Sequence, residues 1–324
     1  MDNSPMSDEY ELIKPDDRNV LLGFLQLTRL PNIFTAMADV AMGFFFVKND
    51  AALADWWALA LLVAASSALY VGGVVLNDIV DRELDAVERP RRPLPSGRVT
   101  LKTACILSGI LLFTGTALGW IVAIASGKLL PGAVTSLLLG CILIYNGLLK
   151  TTAIGPAAMG GCRMLNVLLG MSVAGGSFAA ENWLVAGGIG LYIAGVTWFA
   201  RTEADRSNRL MLAAASAVML AGIAMAAWAP NWLTIDRLLP HYRLGLRDWY
   251  LLMLLIVVMI GWRCIVAIVK PDTRWVQSAV GFAVLSLILL DGAVCLASNH
   301  PYPAAAIFAL MVPAMFLGRK ISPT

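Results

Sequence analysis

The chain has 324 residues, 59% of them hydrophobic and 14% charged, with a mean hydropathy of +0.76 and a formal net charge of +3. Soluble domains carry about 25% charged residues, so this composition excludes an ordinary soluble globule. So small a net charge gives no basis for nucleic-acid binding.

The first eighteen residues, MDNSPMSDEYELIKPDDR, are polar and acidic. They lack the basic start and apolar core of a signal peptide and read as a short tail. Beyond them, apolar runs punctuated by Pro, Gly and charge lie near 19–47, 54–80, 101–126, 130–149, 155–179, 183–202, 210–229, 249–269, 275–297 and 302–318. Each approaches or exceeds the length that crosses a hydrocarbon core about 30 Å thick. The expected architecture is an all-α polytopic membrane protein of nine to ten transmembrane helices, the short last run being interrupted by Pro313. It forms one domain over 19–324, behind the tail 1–18.

Basic residues set the orientation. Of 24 lysines and arginines, Lys48, Lys128, Arg237, Arg243 and Arg247 fall on one side and Arg163 lies within a run. All others lie on the side of the tail, which the positive-inside rule makes cytoplasmic. Arg319 and Lys320 reach that side only if the tenth run crosses, so ten spans are favoured. The expected location is the inner membrane of a bacterial cell, with the N-terminus in the cytoplasm.

The second run ends in NDIVDRELDAVERPRRPLPSGRV. Asp78, Asp81 and Asp85 are spaced i, i+3, i+7 and share one face if the helix continues. Adjacent carboxylates repel, and Mg²⁺, which takes one or two carboxylates together with substrate phosphates, relieves that repulsion. Asn77 adds a neutral oxygen. Arg89, Arg91 and Arg92 follow in a Pro-rich stretch, where guanidinium groups suit bidentate phosphate binding. Metal-binding carboxylates beside phosphate-binding arginines describe a diphosphate site at the membrane surface.

Other polar residues are less distinctive. Arg163 and Asn166 stand one turn apart in an apolar run, and intramembrane charge usually faces a cavity or a partner. Asp39 and Asp291 also lie within apolar runs and are expected to hydrogen-bond inside the bundle. Lys150 sits at a helix end, where snorkelling is the plain explanation. The small-residue stretches AMGG, VAGG and AGGIG indicate close helix packing. The five cysteines, Cys105, Cys141, Cys162, Cys264 and Cys295, stand singly in apolar segments and read as packing residues, with neither disulfide nor metal site expected. His241 and His300 lie in separate connections, which argues against a histidine metal centre.

NDIVDRELD followed by RPRRPLPSGRV resembles the first Asp-rich motif and following segment of the UbiA superfamily of intramembrane prenyltransferases. LTRLPNIFTA, with Arg29, Pro31 and Asn32, resembles the family's first-helix entry. IYNGLLKTTAIGPAAMGGCRMLNVLLG, with Tyr145, Lys150, Arg163 and Asn166, resembles its fourth-to-fifth helix region. The resemblance implies a bundle of about nine spans around a central cavity, with two Asp-rich motifs binding Mg²⁺ and an isoprenyl diphosphate. It also implies substrate roles for Arg29, Asn32, Tyr145, Lys150, Arg163 and Asn166.

The two motifs should follow helices two and six, and NDIVDRELD and RTEADRSNR repeat that four-helix interval. The second departs from the family pattern. Glu203 and Asp205 match its ending, whereas its earlier aspartates fall on Trp198 and Arg201. Glu203 and Asp205 are two apart, about 200° around a helix, which is poor geometry for gripping one ion. Arg201 is therefore expected to stand in for a second metal against the diphosphate. TWFARTEA is also similar to the UbiA-like EboC branch of bacterial secondary-metabolite clusters.

The expected reaction begins with metal and arginines stabilising charge on the leaving diphosphate. Tyr145 or Trp198 would then stabilise the allylic cation by cation–π attraction until a lipophilic acceptor attacks. The rival reading is a UbiA-fold transporter or isoprenoid-binding protein that has lost turnover.

Overall fold

The computed structural model describes residues 20–48, 55–201, 208–229, 245–298 and 301–321. In chain order the helices are α1 (Val20–Leu27), α2 (Ile33–Val47), α3 (Trp56–Val80), α4 (Arg82–Glu88), α5 (Leu101–Ser126), α6 (Leu130–Ile144), α7 (Gly155–Met171), α8 (Ala180–Ala200), α9 (Arg209–Trp228), α10 (Leu246–Val269), α11 (Thr273–Ser298), α12 (Pro301–Ala309) and α13 (Met311–Lys320). They supply ten stretches long and apolar enough to cross a membrane among the described residues, with α1–α2 making the first and α12–α13 the last. The tenth run is thus long enough to cross despite Pro313, as the charge asymmetry required.

Helices are the only open-ended elements that satisfy their own backbone in lipid, so a chain this apolar folds as a bundle. The first, fifth, sixth and ninth spans are the most buried, while the third, eighth and tenth present most of their surface outward. Outward faces carry Phe113, Ile124, Leu254, Val258 and Trp262, side chains that suit a lipid solvent. The interior is tightly packed around Phe44, Met171, Tyr192, Phe199 and Trp249, all essentially inaccessible. Small residues allow this density. A Cβ on Gly188 would lie 2.8 Å from the backbone of Gly222 and Ala226, so α8 and α9 touch backbone to backbone there.

Three irregularities place polar groups at one end of the bundle. The first span breaks between α1 and α2, where Arg29 takes a left-handed conformation with φ 43° ahead of Pro31. Helix α3 stops at Val80, and Asp81, with φ −83° and ψ 0°, joins it to α4. Helix α6 ends in a π-helical turn over Tyr145–Leu149, a wide turn that often marks functional sites.

Candidate active site

The broken first span aims Arg29 across the bundle. Its Nη2 donates to Asp78 Oδ1 at 2.8 Å. A non-glycine residue in the left-handed region is strained, and such strain persists where surrounding contacts enforce it. Arg29 is the only described non-glycine residue with positive φ.

Beyond α4 the segment RPRRPLPSGRV folds back as a succession of turns. Arg98 pins it down, donating to Gln26 Oε1 at 2.9 Å, Ser96 Oγ at 3.0 Å and the carbonyl of Arg91 at 2.5 Å. That fold returns Arg92 over the carboxylates, with Nη1 2.6 Å from Asp85 Oδ2 and 3.7 Å from Asp78 Oδ1. Asp81 instead pairs with Lys150, delivered from the far wall by the π-helical turn.

The expected single carboxylate face is therefore divided. The chain bends at Asp81, so Asp78 and Asp85 share Arg92 while Asp81 turns toward Lys150. Among the described residues no three acidic, histidine or cysteine side chains converge as a ready metal cage. Mg²⁺ seldom needs one, because substrate phosphates complete its shell. Asp81, Asp85 and the amide of Asn77 all face the same cavity, and that donor set fits an ion bound together with a diphosphate.

The cavity has a volume of about 500 Å³. At its polar end stand Arg29, Asn32, Asn77, Asp81, Asp85, Arg89, Arg92, Tyr145 and Lys150. Apolar residues such as Leu69, Val74, Leu138, Ile142, Met159, Ile193 and Val284 line the rest, with Arg163 and Asn166 set into the wall. Asp78 is buried at the edge of this site, outside the cavity lining, holding Arg29 and Arg92.

Arg163 and Asn166 belong to a buried network. Arg163 donates to Asp39 Oδ2 and to Thr35 Oγ1, both at 2.8 Å, and lies over the Tyr70 ring. Asn166 donates to Asp39 at 3.0 Å and to the Ala36 carbonyl, and accepts from Ser66 Oγ at 2.6 Å. Asp291, on α11, is also completely buried, and among the described residues neither its two oxygens nor Asp39 Oδ1 has a hydrogen-bond partner. Asp39 is thus a hydrogen-bonding group inside the bundle, as expected, whereas Asp291 is buried there without a hydrogen-bond partner among the described residues.

Several expected positions fall elsewhere. Arg201 does not line the cavity; its guanidinium donates to the carbonyls of Lys150 and Thr152. Trp198 packs on the apolar core rather than into the cavity, and among the described residues Tyr145 and Tyr70 are the aromatic side chains that line the cavity. Glu203 and Asp205 lie outside the described residues. Cys141 and Cys162, singletons in sequence, bring their sulfurs to 3.3 Å across α6 and α7.

Sequence reasoning missed Tyr70, Glu88 and Asn146 in the lining. Asn146 donates to the Ile142 carbonyl, and its buried Oδ1 has no partner among the described residues. Its neighbour Tyr145 was the available signal, but only the wide turn brings both to the cavity.

The model of the UbiA prenyltransferase family matches residues 40–275. The chain belongs to this family. Among curated relatives, the UbiA-family chain is 32% identical over 170 residues to digeranylgeranylglyceryl phosphate synthase of Saccharolobus solfataricus, covering 51% of this chain and 55% of that one. It is 28% identical over 175 residues to protoheme IX farnesyltransferase of Salinispora tropica, covering 53% of each. It therefore spans about half the length of these relatives.

Solved UbiA structures share the fold. A UbiA homolog from Aeropyrum pernix superposes with TM-score 0.60 at 17% identity, over 82% of this chain and 97% of that one. A UbiA homolog from Archaeoglobus fulgidus, bound to GPP and Mg²⁺, gives 0.59 at 13% identity, over 85% and 99%. Ten apolar spans among the described residues, together with UbiA membership, make the chain an integral membrane protein.

Proposed function

We propose that the protein transfers an isoprenyl group from an isoprenyl diphosphate to a lipophilic acceptor, with Mg²⁺ as cofactor. The observation that carries this reading is one cavity joining carboxylates and cations at its polar end to a deep apolar wall. An isoprenyl diphosphate has the same two-part character. The relatives' names and the GPP and Mg²⁺ bound by the Archaeoglobus homolog support it.

Asp81 and Asp85, with the Asn77 amide, would hold the cation, and Asp78 keeps Arg29 and Arg92 in place. When bound, Mg²⁺ supplies positive charge that weakens the bond between diphosphate and prenyl carbon. Arg29, Arg92 and Arg89 present guanidinium groups to the diphosphate oxygens, and Lys150 adds an ammonium on the opposite side. The faces of Tyr145 and Tyr70 favour positive charge on the departing prenyl group. The apolar wall excludes water, so an acceptor captures the prenyl carbon before hydrolysis does. Asn146 Oδ1 is available to accept a hydrogen bond from the acceptor's hydroxyl or N–H. Arg163 and Asn166 shape the wall beside the chain.

The test is direct. Purified protein in lipid nanodiscs should release pyrophosphate and yield labelled lipid when given Mg²⁺, labelled prenyl diphosphates of several lengths and a native lipid extract. Binding of prenyl diphosphate with no turnover in any combination would favour the transporter or isoprenoid-binder reading instead.

We also infer one membrane domain over 19–324 in a bacterial inner membrane, with the polar site facing the cytoplasm. The asymmetry of lysine and arginine supports the cytoplasmic orientation. Glu83 lies on α4 with its side chain 87% exposed. In a cysteine-free background, E83C should react with an impermeant thiol reagent in inverted vesicles and stay unlabelled in intact cells. Labelling from outside would reverse the orientation.

A further inference from the structure

We propose that Arg201 is a positioning residue that sets Lys150 through the backbone, in place of contacting the diphosphate itself. At the end of α6 the Lys150 N–H closes the π-helical turn on the Tyr145 carbonyl at 2.9 Å. The chain then reverses through Thr152 to enter α7 at Gly155. Arg201, at the end of α8, reaches over this reversal. Nη1 donates to the Thr152 carbonyl at 2.6 Å and Nη2 to the Lys150 carbonyl. One planar fork thus fixes two carbonyls two residues apart, which a lysine ammonium cannot reproduce with the same rigidity.

Gly155 provides the room. A Cβ there would stand 2.7 Å from the Leu149 carbonyl and 2.9 Å from the Lys150 carbonyl, and would collide with Arg201 Nη2. Two residues 46 positions apart in sequence (201 − 155) therefore serve one clamp. Lys150, which the clamp steadies, is the far-wall cation paired with Asp81 at the polar end of the cavity. Arg201 itself is exposed and outside the lining, so its removal should leave the fold intact.

Two readouts test the clamp. The first needs no catalysis: Lys150 acylation by an amine reagent, followed by mass spectrometry of the full-length protein in nanodiscs. R201A and G155A should each raise the Lys150 labelling rate several-fold, toward the rate in D81N, with R201K between wild type and R201A. The second, which rests on the proposed prenyl-transfer reading, is affinity for inorganic pyrophosphate with Mg²⁺ in a double-mutant cycle. R201A should weaken binding about tenfold, the scale of one charged hydrogen bond, and add little in a K150A background.

Unchanged Lys150 labelling in R201A, or additive losses in R201A/K150A, would overturn the clamp and return Arg201 to direct diphosphate contact. If wild type turns over no prenyl diphosphate, the functional reading fails, while the labelling result still decides the clamp.

Discussion

D81N should lower prenyl diphosphate turnover by at least about a hundredfold, the size of losing one electrostatic contact in a transition state. Asp81 lines the cavity and pairs with Lys150, with about a fifth of each side chain exposed. Asparagine keeps the shape and removes the charge, so the fold should persist with an essentially unchanged melting temperature. An amide oxygen remains a weak ligand, so raising Mg²⁺ should restore part of the activity. D78N should behave differently. Asp78 is buried and holds Arg29 and Arg92, so its neutralisation leaves two cations undercompensated. Activity should fall comparably without recovery at high Mg²⁺, and stability should fall as well. Pyrophosphate release across an Mg²⁺ titration, with melting curves for each variant, separates the two. Near wild-type turnover by D81N at limiting Mg²⁺ would remove Asp81 from the metal-holding set.

The second large effect is on folding. R163A should destabilise the protein by about 3–5 kcal/mol, the cost of breaking a buried ion pair from one side. Asp39 is completely buried and Arg163 is its cation, while Asp291, equally buried, has no hydrogen-bond partner among the described residues. Removing the guanidinium leaves Asp39 without its cation in an apolar interior and takes away the donor to Thr35 Oγ1. D39N/R163M removes both charges and fills most of the volume, so it should recover much of the loss. Thermal melting monitored by size-exclusion chromatography in detergent gives both values. An R163A protein as stable as wild type would show that the network is not a structural clamp. The double variant also asks whether Arg163 matters to turnover once folding is restored.

The membrane class was legible from composition alone, because lipid-exposed helices must be apolar for about twenty residues. The candidate site was legible in large part. NDIVDRELD and RPRRPLPSGRV concentrate charge where an apolar chain has no structural need for it, and the cavity collects Arg29, Asn32, Asn77, Asp81, Asp85, Arg89 and Arg92 as expected. Pairing was not legible. A continuing helix would have put three aspartates on one face, but the helix breaks at Asp81, and Asp81 pairs with Lys150 while Asp85 pairs with Arg92.

Arg201 shows the same boundary. From sequence it is a cation where the family resemblance places an aspartate; in space its guanidinium is taken up by two carbonyls whose exposure depends on the π-helical turn and on Gly155. Cys141 and Cys162 meet only because α6 and α7 pack side by side. Hydropathy, charge asymmetry and local spacing are written along the chain, since each depends on neighbours in sequence and on the solvent outside. Which cation answers which carboxylate depends on distances between different helices, and only the packed bundle sets those.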